Sequence, residues 1–190
     1  MTPASNDGEA GELFQANRDR IYRYVLGMVR NGAEAEDLTQ ETILRAYRRR
    51  DSLRDPNAVR GWLYRIATRV CLDRMRQRVQ NVSIEDAETT PCESPSAQEL
   101  TERAETSACV QRCLDYLPDS YRAVILLYEA HSLTALEIAG LLSVSVGAVK
   151  IRLHRVHHRL QEIMEIGCAV SQSTRGVPCC EERGVTTNPR

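Results

Sequence analysis

The pattern with the clearest chemical meaning in this chain is a row of cations on a short helix that follows a tight turn. It lies within residues 134–159, TALEIAGLLSVSVGAVKIRLHRVHHR. Thr134 and Glu137 have the spacing of a capping box, which predicts the start of a first helix. The segment 143–145 interrupts that helix, and Ser145 is a suitable cap for a second one. We expect the cations of the second helix to contact phosphates and base edges of DNA.

The second helix of this pair has an apolar face and cationic faces. Its apolar residues recur at three- and four-residue steps and are predicted to pack inward: Val149, Leu153, Val156 and Leu160. Its cations occupy the other faces: Lys150, Arg152, His154, Arg155 and Arg159. The pattern is typical of a helix-turn-helix, whose second helix lies in the major groove. The alternative is a solvated helical hairpin.

Cysteine thiols are the second group with chemical potential. The chain has seven cysteines and no secretion signal, so we expect them to be reduced, metal-bound or redox-active rather than a disulfide framework. One hypothesis is a tetrahedral site for zinc, copper(I) or cadmium. Its ligands would be Cys168, Cys179, Cys180 and Cys92, with His157 or His158 as alternatives to Cys92. The rival hypothesis is a tail without regular structure. Cys71 and Cys113 lie on apolar stripes and are predicted to pack as small hydrophobic residues.

Length, composition and charge limit the class of protein. A chain of 190 residues with 42% apolar residues suits two small helical domains better than an enzyme with a deep pocket. The formal net charge is −1, but the charges are segregated. Residues 60–78 contain six arginines and one aspartate, whereas residues 79–102 contain six carboxylates and neither Lys nor Arg. Such segregation favours separate surfaces for separate partners. No apolar run is long enough to cross a membrane, so we expect no membrane partner and a cytoplasmic protein.

The elements that must position these groups are helices. Periodicity predicts helices over 13–30, 33–50 and from the turn at 55–57 to about residue 78, then over 100–116 and from 119 or 120 to about 130. The predicted fold class is therefore all-α, with two small helical domains and a flexible acidic linker. We assign the first domain to 11–78, the linker to 79–99, the helix-turn-helix domain to 100–166 and an irregular cysteine-containing tail to 167–190.

Three motifs in order resemble those of the extracytoplasmic-function (ECF) sigma factors. They are EAEDLTQETILRAYRR, RGWLYRIATRVCLDRMRQR and LDYLPDSYRAVILLYEAHSLTALEIAGLLSVSVGAVKIRLHR. The resemblance covers about residues 13–165. It implies a dissociable subunit that brings RNA polymerase core to promoter DNA, performs no catalysis and requires no cofactor. Whether an anti-sigma protein controls it is left open. The main alternative is a helix-turn-helix regulator that works without polymerase.

The resemblance also implies roles for particular residues. Core polymerase would be bound by Asp37, Gln40 and Glu41. The minus-ten promoter element would be melted and read by Arg60, Arg65, Arg69, Arg74 and Arg76. The minus-thirty-five element would be read by Ser145, Ala148, Lys150, Arg152 and Arg155. Many relatives have Asn where this chain has Arg69, and Thr and Ser where it has Ala148 and Ile151. Trp62 lies on an apolar stripe, which favours a core position over a base-stacking one. The tail resembles the cysteine-rich tails of some ECF sigma factors that respond to metal directly.

Overall fold

The computed structural model describes residues 4–82, 113–172 and 178–182, with side chains described over 11–78 and 113–163. Its helices are α1 (Ala4–Val29), α2 (Gly32–Arg48), α3 (Val59–Val82), α4 (Asp119–Ile125), α5 (Ala135–Leu142) and α6 (Val146–Gly167). Two single 3-10 turns, Arg50–Ser52 and Pro56–Ala58, join α2 to α3, and a π-helical turn, Leu126–Ala130, extends α4. The all-α prediction is confirmed for both domains. Among these helices, none has the length and apolar character needed to cross a membrane.

Helices α1, α2 and α3 pack as a bundle around an apolar core. Phe14, Tyr24 and Leu63 are completely buried in it. The Trp62 ring stacks on the Phe14 ring with centroids 5.8 Å apart, and this contact confirms that the indole belongs to the core. The Tyr24 hydroxyl, which burial would otherwise leave unsatisfied, lies 2.7 Å from Thr68 Oγ1. This bundle fixes which faces of α2 and α3 remain outside.

Short polar side chains define where these helices begin. Asn31, expected from sequence to stop the first helix, is the N-cap of α2, and its side chain accepts a hydrogen bond from Glu34 N at 2.9 Å. Asp55 accepts a hydrogen bond from Asn57 N at 2.9 Å and so shapes the turn before α3. The expectation that Asp119 or Ser120 caps the next helix was wrong. Pro118 occupies the cap position without a side-chain hydrogen bond, and α4 begins at Asp119 because the proline supplies the extended backbone there.

The tail differs from its predicted irregular form. Strand β1 (Cys168–Gln172) pairs antiparallel with β2 (Pro178–Glu182) directly after α6. Ser171 pairs with Cys179, and Val170 pairs with Cys180. Two short antiparallel strands can satisfy each other's backbone groups, which no helical periodicity reveals.

The two domains contact each other directly. The buried Arg122 guanidinium of the second domain donates to Met28 O of α1 at 2.8 Å and to Leu114 O at 3.1 Å. A Cβ on Gly27 of α1 would lie 3.1 Å from a Leu126 methyl, so the absence of a side chain at Gly27 permits close approach. The buried apolar residues of both domains therefore form one continuous cluster.

Candidate DNA-binding and polymerase-binding surfaces

The helix-turn-helix is built by two caps and one left-handed residue. Thr134 and Glu137 form the predicted capping box, with Thr134 N donating to the Glu137 carboxylate at 2.7 Å. These hydrogen bonds lower the pKa of Glu137. Ser143 ends α5 at φ 56°, ψ 45°, which turns the chain sharply. Ser145 Oγ then accepts a hydrogen bond from Ala148 N at 3.1 Å and starts α6. The predicted turn and both predicted caps are confirmed.

Helix α6 buries its predicted apolar stripe and leaves its cations outside. Val149 and Val156 are completely buried, and Leu153 nearly so. Lys150 and Arg155 are exposed, and Arg152 and Ala148 are half-buried. Arg155 Nη1 donates to Tyr121 Oη at 3.3 Å, which ties the cation to α4. The exposed groups suit phosphate and base-edge contacts.

The residues predicted to bind polymerase lie on one face of α2. Asp37 and Gln40 are exposed, and Glu41 is half-buried beside Arg45, with 2.6 Å between Oε1 and Nη2. Leu44, one turn beyond Gln40 and Glu41, is 57% exposed. Spacings of three, four and seven residues place all of these on one helix face. The face therefore combines carboxylate and amide acceptors with an apolar residue that sequence reasoning did not select.

The fold gives the five arginines predicted for the minus-ten element different contacts. Arg60 Nη2 donates to His131 O, and Arg65 Nη2 donates to Gly140 O, so both guanidinium groups contact the second domain. Arg74 Nε lies 3.1 Å from Glu34 Oε1, a carboxylate that α2 buries. Arg69 is exposed, and the exposed Arg76 pairs weakly with Asp73 at 3.4 Å. Arg65, Arg69, Arg74 and Arg76 all remain exposed, whereas Arg60 is half-buried in its contact with the second domain.

His131 lies at the contact between the two domains. It ends the π-helical turn, and its Nδ1 lies 2.7 Å from the Tyr64 hydroxyl of α3. Burial, and then the nearby charge of Arg60, lower the pKa of His131 to about 4. The ring is therefore neutral at neutral pH, and its Nδ1 can accept a hydrogen bond from the Tyr64 hydroxyl. Only the folded structure identifies this pair, because Tyr64 and His131 are far apart in sequence and close in space.

The predicted metal site involves cysteines that the structure describes only in part. Cys92 lies outside them, and for Cys168, Cys179 and Cys180 the backbone alone is described. Over the part of the chain whose side chains are described, no group of His, Cys, Asp and Glu is arranged to hold a metal ion. Cys71 is completely buried, and burial raises the pKa of its thiol to about 12. Cys71 and Cys113 are thus buried as predicted.

Two helical domains, one carrying a helix-turn-helix, define a DNA-binding transcription protein, and comparison with known proteins specifies the family. Residues 13–80 match the model of sigma-70 region 2, and residues 107–156 match that of sigma-70 region 4. The chain is 34% identical to the ECF RNA polymerase sigma factor SigW of Bacillus subtilis, over 80% of this chain and 86% of SigW. It is 35% identical to the ECF RNA polymerase sigma factor SigE of Mycolicibacterium smegmatis, over 80% of this chain and 60% of SigE.

A solved structure shows the same fold. The chain superposes on the sigma factor RpoE of Bartonella quintana, solved with the anti-sigma factor NepR, with a TM-score of 0.65 and 22% identity. The match covers 84% of this chain and 96% of RpoE. The chain belongs to the ECF family of RNA polymerase sigma factors. Its relatives are transcription initiation subunits and not enzymes.

Proposed function

We propose that this chain directs RNA polymerase core to promoters in the cytoplasm, without catalysis of its own, through α2 on one domain and α6 on the other. The observation that supports this most is the outward face of α2, where Asp37, Gln40 and Leu44 are exposed together. DNA repels carboxylates, so this acidic face suits a protein partner rather than the promoter.

The chemistry of this α2 face fits a basic protein surface. Carboxylate and amide oxygens accept hydrogen bonds from cations, and complementary charge speeds and orients docking. Leu44 adds apolar area, which supplies affinity that charge alone does not. The resemblance to sigma factors makes the basic partner the largest subunit of the polymerase core.

The test compares two matched double variants. Asp37→Ala with Gln40→Ala should weaken binding to core polymerase by about tenfold or more and reduce promoter-specific transcription equally, since two polar contacts are lost. The control, Gln15→Ala with Asp19→Ala, removes the same two residue types from exposed positions on α1. Binding is measured with purified core, and transcription on fragmented genomic DNA. Equal effects of both variants would remove the assignment of the α2 face to polymerase binding. Specific DNA protection by the chain alone would favour the regulator alternative.

The cysteine hairpin supports a second proposal, which is control of this sigma factor by a soft metal ion. The pairing of β1 with β2 sets Cys179 and Cys180 opposite the strand that begins with Cys168. Alternate residues of a strand share a face, and Cys180 pairs with Val170, two positions from Cys168, so the register puts Cys168 and Cys180 on one face and Cys179 on the other. Thiolates suit zinc, copper(I) or cadmium, and Cys92 or a histidine would complete a site built on Cys168 and Cys180. The solved neighbour bound to an anti-sigma factor makes a protein partner the alternative route of control.

If a metal ion controls this protein, loss of a ligand thiol should impair the metal response, whereas loss of a buried thiol should not. Cys168→Ser should weaken zinc, copper(I) or cadmium binding by the purified chain and abolish any metal dependence of transcription by the holoenzyme, because one of the thiolate ligands is removed. Cys71→Ala is the control, because the Cys71 thiol is buried and protonated. Metal affinity and transcription that are the same in both variants would count against the hypothesis.

A further inference from the structure

Ile151 lies on the outward face of helix α6, opposite the face that the core covers. Val149, Leu153 and Val156 define the buried face of this helix. At about 100° per residue, Ile151 lies about 170° around the helix from the mean direction of those three side chains. It is 55% exposed, although it is one of the most apolar residue types.

The neighbours of Ile151 on this outward face are small or cationic. Gly147, one turn before it, is exposed and has no side chain, so this part of α6 can approach a ligand closely. Arg155, one turn after it, and Lys150 beside it are also exposed. An apolar side chain framed by cations suits a polyanion that carries an isolated apolar group, rather than an apolar protein groove.

The major groove of DNA offers one such group. Base edges there present hydrogen-bond donors and acceptors, and the only apolar substituent is the C5-methyl group of thymine. Ile151 has no hydrogen-bonding atom, so cytosine at the same position would leave its polar amino group against a branched alkyl chain. We propose that Ile151 determines promoter specificity by packing against a thymine methyl group in the minus-thirty-five element. This proposal rests on the promoter-binding function proposed above and specifies what its reading helix selects.

The test removes the methyl group from the DNA and the side chain from the protein, separately and together. After the holoenzyme has selected a promoter, each thymine of the upstream element is replaced in turn by deoxyuridine, which lacks only the methyl group. At one or two positions the wild-type holoenzyme should lose about fourfold in promoter affinity, the effect of one buried methyl group. The holoenzyme with Ile151→Ala should be insensitive to the replacement there, and 5-methylcytosine should bind better than cytosine only with the wild-type protein.

Leu136→Ala is the matched control, because Leu136 is also apolar and is 71% exposed on the same domain. Its holoenzyme should keep the full sensitivity to deoxyuridine. The proposal is overturned if Ile151→Ala lowers affinity equally for thymine and deoxyuridine promoters, which would assign Ile151 to a protein partner. It is also overturned if deoxyuridine has the same effect on both holoenzymes. Failure of the sigma-factor function itself would appear earlier and differently, as the absence of any selected promoter.

Discussion

At the scale of residues, single polar side chains set the geometry of the helix-turn-helix domain. Thr134 and Glu137 satisfy each other's backbone groups at the start of α5. At the start of α6, Ser145 Oγ accepts a hydrogen bond from Ala148 N. These are local interactions between residues three apart, and their residue types alone identify them. The positions of both caps were therefore predictable from sequence.

Removal of the α5 cap should destabilise the protein measurably. Thr134→Ala is expected to lower the free energy of unfolding by about 1 kcal/mol, because the backbone N–H of Glu137 loses its acceptor. Thr134→Ser keeps the hydroxyl and should retain most of the stability. Denaturant unfolding followed by helical circular dichroism measures both.

This loss should also depend on pH. The folded-state pKa of Glu137 is lowered, so the stabilising interaction is present above the unfolded pKa and is lost as the pH falls through the folded one. The difference between Thr134→Ala and the wild type should therefore shrink in acid. A difference that stays constant down to acid pH would show that the Thr134 hydroxyl does not stabilise the Glu137 carboxylate.

At the scale of elements, periodicity predicts the long helices and fails for the hairpin. Apolar residues at helical spacing and clear boundary residues identified α2, α3 and α6. The strands β1 and β2 have five residues each and were missed, because a short strand is defined by its partner rather than by its own pattern. The hairpin brings the strand that contains Cys179 and Cys180 beside the strand that begins at Cys168, which the sequence spacing did not reveal.

Helix α3 has two roles that compete. Its inward face completes the bundle of the first domain, and its arginines were predicted to contact promoter DNA. In the structure Arg60 and Arg65 instead donate to carbonyl oxygens of the second domain. Arg60 Nε is buried without a hydrogen-bond partner in this contact, which costs free energy. Separation of the domains would therefore expose the unsatisfied Arg60 Nε to water but would cost Arg65 its hydrogen bond to Gly140 O.

At the scale of the whole molecule, the contact between domains should weaken in acid. The pKa of His131 is about 4 in the docked arrangement, whereas histidine exposed to water has a pKa of about 6.5. The separated domains thus bind a proton more readily than the docked ones. Docking is fully favourable above about pH 6.5 and is lost progressively as the pH falls towards 4. Small-angle X-ray scattering should show the radius of gyration increasing over this range while helical content is retained.

A variant that does not ionise separates this effect from other acid-sensitive contacts. His131→Gln can still accept a hydrogen bond from Tyr64 and should remove most of the expansion between pH 6.5 and 4. The other groups near His131 are Tyr24, Tyr64, Arg20, Arg23 and Arg60, all of which keep their charge state over this range. The ion pair between Arg30 and Asp115 also joins the domains and remains in both proteins. Equal expansion of the wild type and of His131→Gln would assign the effect to that ion pair or to general unfolding.

The sequence alone determined the class of fold, the helix-turn-helix and the family resemblance. Helical periodicity, caps and turn residues act over a few positions, so they can be identified in Thr134, Ser145 and the apolar stripe of α6 without coordinates. Tertiary structure decided which of the candidate residues are accessible. Arg60 and Tyr64 contact His131, and Arg65 contacts Gly140. These pairs are 67 to 75 positions apart in sequence, and such contacts depend on how the domains pack. Exposure of Ile151 and Leu44 likewise depends on which helix faces the core covers.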